Sequence, residues 1–178
     1  MVTCKKGEDD PAVSLLSRKS RLTGEWHLEK GSVTIGIKDS TGAYGGYIFN
    51  FDGTSYTQVY TGNSSRVDGK AELSISFTKK GDFTLTQKLD NLKLESSGTW
   101  DFQGRVGKNK NKENITLHLS TISGTSDDFS FFNKGNFDFM YSLKELRNKK
   151  MVVFCNEEMV MLDSGAGIYV TAEYTFVQ

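Results

Sequence analysis

Apolar and aromatic side chains recur at every second residue along most of this chain, in short runs parted by polar turns. Trp26 and Leu28 open the pattern, and Val33, Ile35 and Ile37 continue it. Tyr47, Phe49 and Phe51 follow, then Leu73, Ile75 and Phe77, then Phe83 and Leu85. Gly98, Trp100 and Phe102 alternate next, as do Ile115, Leu117 and Leu119, and Phe137, Phe139, Tyr141 and Leu143. Met151, Val153 and Cys155 share one face, and Ile168, Val170, Ala172, Tyr174 and Phe176 close the chain. A period of two puts these residues on one side of a strand, so the reading is a run of half-buried β-strands. Asp52-Gly53, Lys80-Gly81-Asp82 and Arg147-Asn148-Lys149 supply turn chemistry. Turns this short leave no room for crossover helices, so successive strands must run antiparallel. The 18 glycines and the single proline suit such a chain. The predicted fold is all-β, an antiparallel up-and-down barrel of about 8–10 strands, because closure removes the exposed edges of an open sheet.

The start of the chain reads differently. Residues 1–10 have no apolar run and form a polar leader, and residues 11–178 form one domain. Asp10-Pro11 has the chemistry of a helix start, with a side-chain acceptor followed by a fixed φ. Leu15 and Leu16 supply a short apolar face, Arg18, Lys19 and Arg21 suit the C-terminal end of the helix dipole, and Gly24 is placed to stop it. A helix of about 8–12 residues is expected ahead of the barrel.

Composition removes several functions. Lys plus Arg equals Asp plus Glu, 22 each, so the chain lacks the positive surplus needed to coat nucleic acid. No stretch approaches the roughly 20 apolar residues of a membrane-spanning helix. There is no G-x-S-x-G, no H-E-x-x-H, no phosphate-binding glycine loop and no G-x-G-x-x-G opening a helix, so no catalytic residue is assigned and the chain reads as a non-enzyme. His27 and His118 are the only histidines and lie far apart, each next to inward-facing residues, which places them on the outer face. No metal site and no cofactor are expected. The basic run RVGKNKNK at 105–112 reads as a solvated hairpin loop, or as a contact for anionic headgroups or an acidic partner.

Two cysteines carry separate readings. Cys155 lies on an apolar strand and reads as a small core residue with an inert thiol. Cys4 follows Thr3 and precedes Lys5-Lys6 and the acidic tract to Asp10, as the lipid-bearing first residue of a mature bacterial lipoprotein would. A lipid there would hold the protein on a membrane. The inward aromatics either fill the barrel or line a modest cavity for an apolar ligand. The residues singled out for that cavity are Tyr47, Phe49, Phe77, Trp100, Phe102 and Phe139.

Several segments together carry a family resemblance. The run 14–26, SLLSRKSRLTGEW, resembles the opening of the lipocalin-like lipoproteins of Bacteroidetes, and its Gly24-Glu25-Trp26 is similar to the G-x-W element of lipocalins. Gly98-Thr99-Trp100-Asp101-Phe102 resembles the family's central strand, and YSLKELRNKKMVV at 141–153 its late hairpin. Cys4-Lys5-Lys6 is similar to the mature start of such lipoproteins. The resemblance implies a lipid-anchored barrel in the outer membrane of the cell envelope, with Gly24 and Trp26 at its closed end and a small hydrophobic or amphipathic ligand inside. The other expectation is a non-catalytic accessory subunit docked on an outer-membrane protein through loops such as 105–112 and 123–136. One feature departs from lipocalins, whose last strand lays an Arg or Lys across the G-x-W tryptophan. Residues 168–178 contain neither. Either another cation, such as Arg18 or Arg21, covers Trp26, or the closure differs.

Overall fold

Alternating apolar residues fold this chain into a closed antiparallel β-barrel. The computed structural model describes residues 16–38, 44–104, 113–124, 138–160 and 167–178. After the short helix α1 (Arg18–Leu22) come ten strands: β1 (Gly24–Lys38), β2 (Tyr44–Phe51), β3 (Ser55–Tyr60), β4 (Arg66–Phe77), β5 (Asp82–Leu89), β6 (Leu92–Phe102), β7 (Asn114–Gly124), β8 (Phe139–Leu146), β9 (Lys150–Val160) and β10 (Gly167–Val177). Every strand pairs antiparallel with its sequence neighbours, and β10 closes on β1.

The three turns read from the sequence all form. Asp52 N donates to Ser55 O at 3.2 Å, Thr78 N to Asp82 O at 2.9 Å, and Arg147 N to Lys150 O at 2.8 Å. A turn that carries no Gly or Pro, Asp90-Asn91, joins β5 to β6, with Asp90 at φ 50°.

The helix differs from its expected extent. Ser17 is extended at φ −61°, ψ 154°, and its side chain accepts from Ser20 N, so the helix begins at Arg18 and lasts five residues. Ser17 caps α1, and the Asp10-Pro11 start, with residues 12–15, lies outside the described residues. Leu16 is exposed rather than part of a helical apolar face. Gly24 does not stop the helix: Thr23 already has extended dihedrals, and Gly24, at φ +135°, opens β1.

The closure contains a branch. Residues 24–27 of β1 pair with β4, Gly24 opposite Phe77 and His27 opposite Ser74. From Gly31 onward β1 pairs instead with β2. Two rings can therefore be traced through the hydrogen bonds. An eight-strand ring closes through β1–β4, and a ten-strand ring includes the β2–β3 hairpin. The hairpin enters as a wedge between β1 and β4. Its tip is tied to β4, where Ala71 N donates to Thr54 O at 3.0 Å. On the other side Gly53, at φ +97°, lies so close to β1 that a Cβ there would sit 2.9 Å from Leu28 O and 3.0 Å from Glu29 O. β1 has its bulge between Leu28 and Lys30, at this branch point.

Candidate functional site

Register decides which side chains face inward, because residues directly opposite on antiparallel strands share a face. The eight-strand end is filled. Trp26 and Phe176 have no exposed surface, and Phe77, Phe83, Leu146 and Met151 are buried beside them. Trp26 Nε1 donates to Leu22 O at 2.8 Å, so the indole is tied to the helix that caps this end. Arg18 Nη2 donates to Leu143 O at 3.4 Å, and Arg21 Nη1 donates to Leu146 O. Both arginines are buried. They join α1 to β8 and bring cations to this end, where the last strand has none. Gln178 Nε2 reaches Thr23 O at 3.3 Å, lying where a Cβ on Gly24 would have to go.

The ten-strand end carries an aromatic wall, of which Phe49, Phe51 and Tyr56 are buried in the core while Tyr47 and Tyr60 keep some exposure. Tyr47, Phe49 and Phe51 on β2 stand opposite Tyr60, Gln58 and Tyr56 on β3. Their rings form a continuous aromatic wall, with Tyr47 to Tyr60 at 5.2 Å and Phe49 to Tyr56 at 6.3 Å between centroids. Exposure of inward residues rises along β1, from 0% at Trp26 and 1% at Val33 to 41% at Ile37. Val67, inward near the start of β4, is 52% exposed. Interior diameter grows with strand number, and eight strands leave just enough room for side chains or one small ligand. Inserting two more strands on one side widens the barrel there.

The six residues proposed from the sequence do not form one group. Phe77, Trp100 and Phe102 make an edge-to-face cluster, at 5.6 Å and 5.4 Å between successive rings. This cluster lies near the capped end. Trp100 Nε1 donates to Thr78 O at 3.3 Å, and Lys19 Nζ lies 5.6 Å from the Trp100 ring centre. Phe77 and Trp100 are buried, and Phe102 keeps some exposure. Tyr47 and Phe49 belong to the hairpin wall. Phe139, opposite Leu117, is partly buried against the core. Cys4, the 105–112 run and residues 125–136 of the second loop lie outside the described residues.

Tyr56, Gln58 and Tyr60 extend the wall beyond the sequence-based set. Polar groups also face inward among the apolar ones. Gln87 is fully buried opposite Leu73, and Ser96 is buried opposite Leu85. Ser96 Oγ has no hydrogen-bond partner among the described residues. On β9, Cys155 is buried, and burial together with the Glu157 charge pushes its thiol up to about 11. Tyr141 and Tyr174, fully buried, are raised well above the ordinary phenol value, first by burial and then by the charge of Cys155. Burial also raises the Glu157 carboxyl. Glu157 follows Cys155 by two residues, so alternation sets it on the same side, and it is exposed to solvent there.

The outer face is polar. His27 is exposed, and His118 Nδ1 lies 2.8 Å from Asp138 Oδ2. Among the described residues no group of three or more His, Cys, Asp or Glu side chains is placed to hold a metal ion, and no helix is long and apolar enough to cross a membrane. Comparison with protein families and with curated proteins finds no match to this chain.

Proposed function

We propose that this barrel binds one small apolar or amphipathic molecule through its ten-strand end, without catalysis. The observation that carries the reading is the branched closure. A hairpin lined by Tyr47, Phe49, Tyr56 and Tyr60 is wedged into a ring that eight strands already close. The capped end supplies the rigid floor, and the aromatic wall supplies apolar contact area on side chains with few rotamers to freeze. Lipid carried on Cys4 would hold the barrel at an outer membrane in the cell envelope, where such ligands partition.

The test is a titration of the full chain with N-phenyl-1-naphthylamine, an uncharged apolar fluorophore, followed by displacement with decanol. One saturable site is expected. Tyr47→Ala combined with Tyr60→Ala should weaken it about tenfold, which is about 1.4 kcal/mol. Absence of saturable binding, or binding indifferent to both tyrosines, overturns the proposal.

A further inference from the structure

Charge is distributed unevenly between the two ends of the barrel. Hydrogen bonds gather three segments at the capped end. Trp100 N donates to Gly81 O at 2.6 Å, Trp100 Nε1 donates to Thr78 O at 3.3 Å, and Lys19 Nζ lies 5.6 Å from the same indole. The β4–β5 turn thus adjoins one side of α1. On the other side Arg21 Nη1 donates to Leu146 O, Gln178 N donates to Lys149 O at 3.4 Å, and Gln178 Nε2 donates to Thr23 O at 3.3 Å. The β8–β9 turn is thereby joined to the C-terminal end of α1. Together α1, 78–81 and 147–149 contain seven Lys and Arg residues and no Asp or Glu. The described turns at the ten-strand end, 61–65 and 90–91, contain Asp90 and no cation.

Three of the seven cations are engaged. Arg18 and Arg21 are buried and donate to β8 carbonyls. Arg147 shares the buried Glu145 with Lys150. Lys19, Lys79, Lys80 and Lys149 are all exposed and have no carboxylate partner among the described residues. Acids close to these segments have partners of their own. Asp82 accepts from the Thr78 hydroxyl at 2.9 Å, and Asp101 accepts from the Gln103 amide at 2.8 Å. On the outer wall, by contrast, lysines take carboxylate partners, as Lys88 does with Glu72, Lys93 with Glu95 and Lys144 with Glu173.

Four lysines without carboxylate partners, spread over three segments, make a broad positive face rather than a pocket. Lysine is a compact point charge on a flexible stem and suits a diffuse negative surface, whereas bidentate recognition of one anionic group favours arginine. Leu16, 46% exposed, stands two residues before α1 and adds an apolar side chain to this rim. The chain also enters the barrel here. Cys4 precedes Leu16 by twelve residues, a length that spans at most about 40 Å when extended. A lipid on Cys4 would therefore draw this end of the barrel, rather than the other, toward a bilayer.

We infer that the capped end docks on an anionic lipid bilayer, with Lys19, Lys79, Lys80 and Lys149 among the headgroups and the ten-strand end turned away from the membrane. This goes beyond ligand binding, which belongs to the opposite end and is measured without vesicles. Each lysine held near such a surface adds an attraction that salt screens. The tether limits distance, and the lysines decide which end faces the lipid.

The test is sedimentation of the full, unacylated chain with vesicles of phosphatidylglycerol and phosphatidylcholine in equal parts. At about 0.1 M salt, charges at the far end are screened from the surface. Binding should exceed that to pure phosphatidylcholine by at least about a hundredfold, and should be lost at about 1 M salt. Lys79→Gln combined with Lys80→Gln should weaken it at least about tenfold. Lys88→Gln combined with Lys93→Gln removes the same charge near the ten-strand end and should change it less than about twofold. The two tryptophans of the chain, Trp26 and Trp100, both lie at the capped end, so energy transfer from them to a dansyl headgroup reports which end has docked. Transfer should rise in step with sedimentation. Equal binding to neutral vesicles, binding indifferent to Lys79 and Lys80, equal losses in the two double variants, or binding without transfer overturns the inference. Tighter binding to polyglutamate at equal charge also overturns it, and makes an acidic protein the occupant. The comparison of anionic with neutral vesicles needs no variant.

Discussion

The two ends of this barrel are built from the same alternating strands, yet one is closed over by a helix and the other has inward residues that meet solvent. At the capped end eight strands close, and the space inside is filled by Trp26, Phe77, Phe83, Leu146 and Phe176, with α1 held over them by Trp26 and two arginines. At the other end two further strands are wedged between β1 and β4, and inward residues such as Ile37 and Val67 meet solvent. The difference teaches that strand number, as well as side-chain composition, bears on which inward residues stay buried here. Aromatic residues crowd both ends.

The largest expected effect falls on the capped end. Trp26→Ala removes a fully buried indole and its hydrogen bond to Leu22 O, and should cost about 3–5 kcal/mol in urea unfolding. Tyr60→Ala, on a partly exposed ring, should cost under about 2 kcal/mol while weakening fluorophore binding. Equal stability losses would break the contrast between floor and wall.

Gly53→Ala tests the wedge. Its φ of +97° and the nearby Leu28 and Glu29 carbonyls leave no place for a Cβ, so about 1–3 kcal/mol should be lost. Amide exchange should speed up in β2 and β3 and stay slow in β9 and β10. A uniform increase around the barrel would mean that the hairpin is not a separable addition.

Alkaline pH probes the middle of the interior. The Cys155 thiol is raised from 9.0 to about 11 in the folded chain, chiefly by burial. A raised pKa contributes stability that is complete below pH 9 and lost as pH rises through 11. The loss is about 3 kcal/mol, and Cys155→Ala should lack it. Iodoacetamide at pH 8 should modify the native thiol about a hundredfold more slowly than an unfolded one, matching the smaller thiolate fraction. Alkylation at the unfolded rate would show that the lined region extends down to Cys155.

The smallest effect is acidic and local to the hairpin. The Ser55 hydroxyl, followed by the Thr54 and Ser55 N–H groups, lowers the Asp52 carboxyl from 3.8 to about 2. Its contribution is present above pH 3.8 and is lost as pH falls through 2. Amide resonances of Thr54 and Ser55 should shift in that window while the Trp26 indole resonance does not. A coincident shift at Trp26 would tie the wedge to the floor.

Much of the fold was legible residue by residue. Met151, Val153 and Cys155 face inward and Val152 and Phe154 outward, as their alternation required. The Asp52-Gly53 turn formed because Gly tolerates a positive φ. A short helix ahead of the barrel was legible, and among the described residues it is capped by Ser17, whose capping chemistry is as local as that of Asp10-Pro11. Asp90-Asn91 was missed because an Asp at positive φ leaves a weaker signature than a Gly. Of the candidate site, Tyr47 and Phe49 were placed on the inner face correctly. Their separation from Phe77, Trp100 and Phe102 was hidden, since alternation gives a side of the sheet and not a position along the barrel axis.

By itself, then, the sequence determined the strands, their antiparallel order and the face of each side chain, because period and turn chemistry are local. Only the tertiary structure decided that β1 pairs first with β4 and then with β2, since that choice depends on contacts between residues some fifty positions apart. The branch gives the barrel eight strands at one end and ten at the other, and inward residues such as Ile37 and Val67 meet solvent at the ten-strand end.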